Sequence, residues 1–136
     1  MVLLAAISDG ATDEAIIAEA TKLAEAFDDE LHVVHVQSLD SLDDDETRTD
    51  ASVKQRATAV AASAIEGLDH PTTAVGLIGE PAVEVLNYAE KTGARYIVIG
   101  GQKRSPVGKA LFGSTTQQIL LSAELPVLTV MAQQTK

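Results

Sequence analysis

The chain has 136 residues, a formal net charge of −10 from 20 acidic and 10 basic side chains, and no cysteine. That length closes one core without metals or disulfides, and the missing thiols exclude a thiol nucleophile and cysteine-ligated zinc while fitting a reducing, cytoplasmic setting. So acidic a surface repels nucleic-acid backbones, and no stretch approaches the roughly 18 apolar residues of a membrane span, so neither nucleic acid nor membrane is an expected partner.

Hydrophobic content is 46% but aromatics only 3%, so the core must come from Ala, Val, Ile and Leu. Residues 2–7, VLLAAI, form a short continuous apolar run, which predicts a strand covered on both faces. Thr12 then serves as N-cap, with Asp13 and Glu14 in the first turn of a helix ending near Asp28. Residues 31–36 predict a second strand. The acidic run from Asp40 through Asp43, Asp44, Asp45 and Glu46 lacks the glycine turn of a calcium loop and reads as a solvated loop. An Ala-rich helix is predicted over 51–67, a third strand over 72–78, and a helix from Pro81 to Gly93, with Pro81 suited to its first position.

The next stretch holds the candidate site. Tyr96-Ile97-Val98-Ile99 predicts a buried strand that stops at Gly100-Gly101. A cationic loop with Lys103, Arg104 and Lys109 follows, then Gly113-Ser114-Thr115 opens a helix to about Ala123. Amide groups of a glycine turn and of a first helical turn would converge there, and the helix dipole favours an anion. The stretch therefore reads as a phosphate cradle. It is neither a Walker loop nor a dinucleotide fingerprint, because the glycine spacing is wrong and no Gly-Lys-Ser/Thr closes it. Ser114 and Gln117 also have capping-box spacing, so Ser114 has a plain structural alternative. A last strand is predicted over residues 126–131, from Pro126 to Met131. Five strands alternating with four helices give a single doubly wound α/β domain over 1–136, with ligands expected where the strand order reverses.

Other chemistry finds little support. His32 and His35 read as structural histidines within a strand, and His70 carries no signal. The strand ends lack the acids and lysine of a phosphoryl-accepting receiver, and no nucleophile–base pair or metal spacing is visible.

These residues together resemble the universal stress protein family, in its single-domain form. The resemblance rests on His35-Val36 closing the second strand, Gly79-Glu80-Pro81, the run from Tyr96 to Gly100, Gly113-Ser114, and the closing Leu125-Pro126-Val127-Leu128-Thr129-Val130. The family motif is Gly, two residues, Gly, nine residues, then Gly-Ser or Gly-Thr. Counting back from Gly113, this chain keeps Gly100 and puts Lys103 at the middle glycine.

The resemblance implies a Rossmann-like α/β/α sandwich with a five-stranded parallel sheet in the order 3-2-1-4-5. It also implies a homodimer through the fifth strand and binding of ATP, with or without Mg²⁺. By position, Gly100, Gly113, Ser114 and Thr115 would hold phosphates, and Val36 would lie against the adenine. At the end of the first strand, after Ile7, the family's nucleoside-contacting Asp falls near Ser8, with Asp9 one residue later. Lys103 either crowds the phosphates or, with Arg104 and beside Gly101, pairs with them; pairing is the reading adopted. The expected role is a stress-response sensor or adaptor with protein partners the sequence does not identify. The alternatives are an interaction protein with a vestigial pocket and, behind it, a slow ATP hydrolase or adenylyl transferase.

Overall fold

The computed structural model describes residues 1–38, 49–103 and 110–133. The elements in chain order are β1 (Val2–Ile7), α1 (Asp13–Phe27), β2 (Glu30–Gln37), α2 (Asp50–Ala64), β3 (Thr72–Ile78) and α3 (Pro81–Thr92), followed by β4 (Tyr96–Lys103), β5 (Ala110–Leu111), α4 (Ser114–Ser122) and β6 (Val127–Gln133). Five parallel strands run in the order β3-β2-β1-β4-β6, which is the expected 3-2-1-4-5 sheet with four helices. The acidic run 40–46 lies outside the described residues.

Alternation along the strands sends side chains to both faces, and each face carries its own core. Leu3, Ala5, Leu31, Val33 and Val98 pack beneath α1 and α2, against Ile16, Ala20, Ala24 and Ala61. Leu4, Val34, Ile97 and Ile99 pack on the other face against Ala82, Val85 and Ala89 of α3 and Ile119 of α4. Leu3, Leu4, Leu31 and Ile97 are fully buried, and each such side chain contributes roughly 1.5–3 kcal/mol by leaving water. Small residues let the layers close up. A Cβ at Gly76 of β3 would land on the backbone nitrogen and hydroxyl of Thr58, so α2 lies directly on that strand.

The helix predicted over 51–67 ends at Ala64 with Ile65 as its C-cap, and the last strand runs to Gln133 and not Met131. Two larger departures concern β4 and β5. The strand that should stop at Gly100-Gly101 continues through both glycines to Lys103. The reason is pairing on both edges. Ile97 to Lys103 run beside Val127 to Gln133 of β6, and Gln102 and Lys103 also pair antiparallel with Leu111 and Ala110 of β5. The second departure is β5 itself, a two-residue strand that composition does not announce. Because β6 fills one edge of β4, β5 must share the other edge with β1, whose pairing with β4 ends at Val98.

The amino ends of the strands are fastened by a buried charge. Asp29 is 3% exposed. Its carboxylate accepts from Arg95 Nε at 2.7 Å and Nη2 at 3.3 Å, and the amino terminus lies 3.5 Å away. His70 Nε2 meets the Asp29 carbonyl at 2.6 Å, and the Arg95 guanidinium sits 4.4 Å from the centre of the Phe27 ring.

Candidate functional site

β1 has β2 on one side and β4 on the other, so the chain leaves it in both directions, and a crevice opens at the carboxyl ends of the strands. Its cavity is about 270 Å³. Ala6 and Ile7 of β1, Val34 and Val36 of β2 and Ile99 of β4 line it from the sheet. Ile16 of α1, Val85 of α3 and Ile119 of α4 add apolar walls. Polar groups come from the element ends: Ser8, Thr12, His35, Thr115 and Thr116. The result is an apolar slot with a polar mouth, the usual build of a small-molecule site.

Several contacts fix that mouth. The Thr116 hydroxyl donates to the Gly100 carbonyl at 2.9 Å, tying the start of α4 to β4. A Cβ at Gly100 would lie 2.9 Å from Ile16 Cδ1, so α1 comes close to the strand at this residue. His35, 8% exposed, places Nδ1 3.2 Å from the carbonyl of Ile7. A carbonyl only accepts, so Nδ1 carries the proton, and in the neutral ring Nε2 is left as an acceptor. At the turn after β1, the Asp13 carboxylate accepts from the amides of Ser8 and Gly10, both at 3.1 Å. This bracket holds Asp9 between them in a left-handed conformation, φ +65°, which Asp tolerates better than most residues.

The structure gathers some of the sequence-predicted residues and separates others. Ile7, Ser8, Val36, Gly100 and Thr115 border the crevice. Ser114 borders an adjoining groove that shares Pro81 and Thr115 with it and includes Glu80 and Gln118. Gly113 is the N-cap of α4 at φ −68°, with nothing within 4 Å of a Cβ placed there. Ser114 is therefore the first helical residue. The capping box expected of it is not formed, and Gln117 Nε2 donates instead to the Phe112 carbonyl at 3.1 Å. Asp9 lies on a different groove, between α1 and α2, beside Gly10 and Glu14. Gly101 packs toward Met131 and the Phe112 ring. Lys103 lies in the β4 ladder, its side chain outside what the structure describes, and Arg104 lies outside the described residues.

Sequence reasoning passed over Thr12, His35 and Thr116 as site residues, and gave Asp13 only a place in a first turn. The signal for Asp13 was its position one residue after the expected N-cap. Thr12 does occupy that position, but without a side-chain cap bond. His32, taken as a structural histidine, lies away from the crevice: its Nδ1 is 2.7 Å from the Tyr88 hydroxyl. Its buried Nε2 has no hydrogen-bond partner among the described residues, with Glu30 at 3.5 Å as an ion-pair neighbour only. Among the described residues, no group of three His, Asp or Glu is placed to hold a metal ion.

The fold has known counterparts. The sequence profile described as "Universal stress protein family" matches residues 1–131. A universal stress protein of Mycolicibacterium smegmatis is 45% identical over 47 residues, a match spanning 35% of this chain and 36% of that relative. A solved universal stress protein from Archaeoglobus fulgidus superposes with a TM-score of 0.70 at 26% identity, covering 94% of this chain and 96% of the other. A universal stress protein crystallised in complex with cAMP superposes with a TM-score of 0.69 at 16% identity, covering 96% of each chain.

Proposed function

The chain belongs to the universal stress protein family, and on that premise we propose that it binds an adenine nucleotide and acts as a homodimeric stress-response sensor or adaptor. The observation that carries the reading is the apolar slot between β1, β2 and β4, with the amino end of α4 at its mouth. An adenine ring has the flat, apolar body such a slot accepts, with Val36 and Ile7 as its neighbours on the sheet. A structural relative is described in complex with cAMP, a ligand of this class. Ser8, Thr12 and Thr115 line the same crevice, so their hydroxyls offer donors and acceptors to a ribose, and His35 Nε2 offers an acceptor. Gly113 has no internal need for a bare backbone, since its φ is ordinary and a Cβ there meets nothing. A ligand approaching the helix end supplies that need. Occupancy would stabilise the folded state by mass action, which lets the nucleotide level set the population a partner meets.

Native mass spectrometry of the purified protein and calorimetric titration with adenosine, AMP and ATP test this. Bound adenine nucleotide or a saturable isotherm is expected, and Gly113→Val should abolish nucleotide binding while the fold persists. Absence of binding by every adenine ligand at about millimolar concentration would sink the reading. It would favour the second one, a dimeric interaction protein whose crevice stays empty. That alternative draws on the β4–β5 ladder, which replaces the open glycine turn.

A further inference from the structure

Buried polar side chains narrow what the crevice can take. Resting on the nucleotide-binding reading, we infer that His35 and Thr12 read the base. His35 Nε2 accepts from the 6-amino group of a purine and the Thr12 hydroxyl donates to a ring nitrogen beside it, so the site selects 6-aminopurines.

Folded proteins pair nearly all of their buried polar groups. Among the described residues three buried side chains are polar or charged, Asp29 at 3% exposure and Thr12 and His35 at 8% each. Asp29 has Arg95 and the amino terminus as partners. The other two both line the crevice, and each keeps an open polar atom. Thr12 is the N-cap of α1, yet its hydroxyl makes no cap bond. His35 engages the Ile7 carbonyl through Nδ1 at 3.2 Å, and among the described residues nothing meets its Nε2. Unlike the Nε2 of His32, that nitrogen is not closed off from solvent. The crevice is the space that His35 borders.

The polarity of the pair follows from these contacts. With the Nδ1 proton given to a carbonyl, the neutral His35 ring holds a lone pair at Nε2 and is an acceptor only. A hydroxyl rotates and takes whichever role is needed. Adenine carries an amino donor with a ring-nitrogen acceptor beside it, so one edge answers both groups. A 6-oxo purine in the same position would set its oxygen against the Nε2 lone pair and leave both without a donor, which costs more than a bond merely missing. Position favours the base over the sugar. Alternation along β2 puts His35 on the face of Leu31 and Val33, in register with Ile7, and Ile7 and Ile16 belong to that same apolar cluster. Ser8 is exposed and Thr115 half-buried, which leaves their hydroxyls for the ribose.

The test is calorimetry on the full chain with adenosine, purine riboside, which lacks the amino group, and inosine, which has an oxygen in its place. Both analogues are expected to bind about tenfold or more weaker than adenosine. Either one binding as tightly as adenosine overturns the inference and leaves nucleotide binding intact. Failure of all three sinks the inference, and nucleotide binding falls with it only if AMP and ATP fail too. His35→Asn puts an amide nitrogen near the place of Nδ1 and removes the acceptor. Adenosine should then weaken about tenfold while purine riboside changes little. An equal loss for both in the folded variant overturns the role of His35, as does a loss that tracks removal of the ribose hydroxyl in 2′-deoxyadenosine instead. Thr12→Val keeps the shape and should weaken adenosine about threefold; unchanged affinity overturns the role of Thr12. Should the His35 variant not fold, nitrogen NMR of the natural chain decides. Adenosine should move the His35 Nε2 resonance as a new hydrogen bond does and purine riboside should not, and equal shifts refute the contact.

Discussion

Asp29 shows what a single buried charge does in this fold. Its carboxyl is held below its ordinary value of 3.8, chiefly by the hydrogen bonds from the Arg95 guanidinium, against burial, which acts in the opposite direction. A depressed carboxyl contributes stability at every pH above its unfolded value and loses it as pH falls through its folded value. Asp29→Asn should therefore cost about 2 kcal/mol near neutrality. It should also flatten the loss of thermal stability as acid is added below pH 3.8, the ordinary value. Melting curves of both proteins between about pH 6 and about pH 2 check this; parallel acid limbs would show that Asp29 does not govern the effect. None of this was legible beforehand. Asp29 follows Asp28 at the end of a helix, and its partner Arg95 is 66 residues away in sequence, just before β4. His35 was equally hidden, since a histidine in an apolar strand looks the same whether its second nitrogen meets protein or crevice.

At the scale of elements, the sequence announced most of the secondary structure and misplaced the ends of α2, β4 and the last strand. Pro81 and Gly93 bracket α3 as their stereochemistry requires, and the β1 and β3 spans follow from short apolar runs. Gly100 and Gly101 read as a stop because glycine weakens an isolated strand. In the folded chain, β6 and β5 pair that segment from both sides, and such pairing is invisible to local composition. The glycines also differ in what they are for. Gly76→Ala would drive a methyl group into the α2 backbone and should destabilise the fold by about 1–3 kcal/mol. Gly113→Ala meets open space and should cost about 0.5 kcal/mol, the difference between two N-cap residues. Denaturant midpoints of the two variants compare them directly, and equal losses would contradict the close approach of α2 to β3.

For the molecule as a whole, the β6 edge of the sheet is where the proposed dimer would form. β6 pairs with β4 on one side, and its Leu128 is 38% exposed; on the preceding helix Leu120 and Leu121 are 41% and 87% exposed. Exposed apolar side chains on an edge strand suit a second copy, and β6 contains the 126–131 stretch from which a dimer was expected, apart from Pro126 at its entrance. Leu128→Glu should then shift the protein from dimer to monomer in sedimentation velocity, with its circular dichroism unchanged; a natural chain that sediments as a monomer would refute the dimer. The position of β1 has a different consequence, which concerns the making of the chain. Leu3 pairs with Leu31 on one side and with Tyr96 on the other. At about 5–20 residues per second, the second partner is made several seconds after the first. Throughout that interval the central strand of the finished sheet has one unpaired edge, so the growing chain must be protected there, by its own collapse or by a chaperone, before the crevice exists.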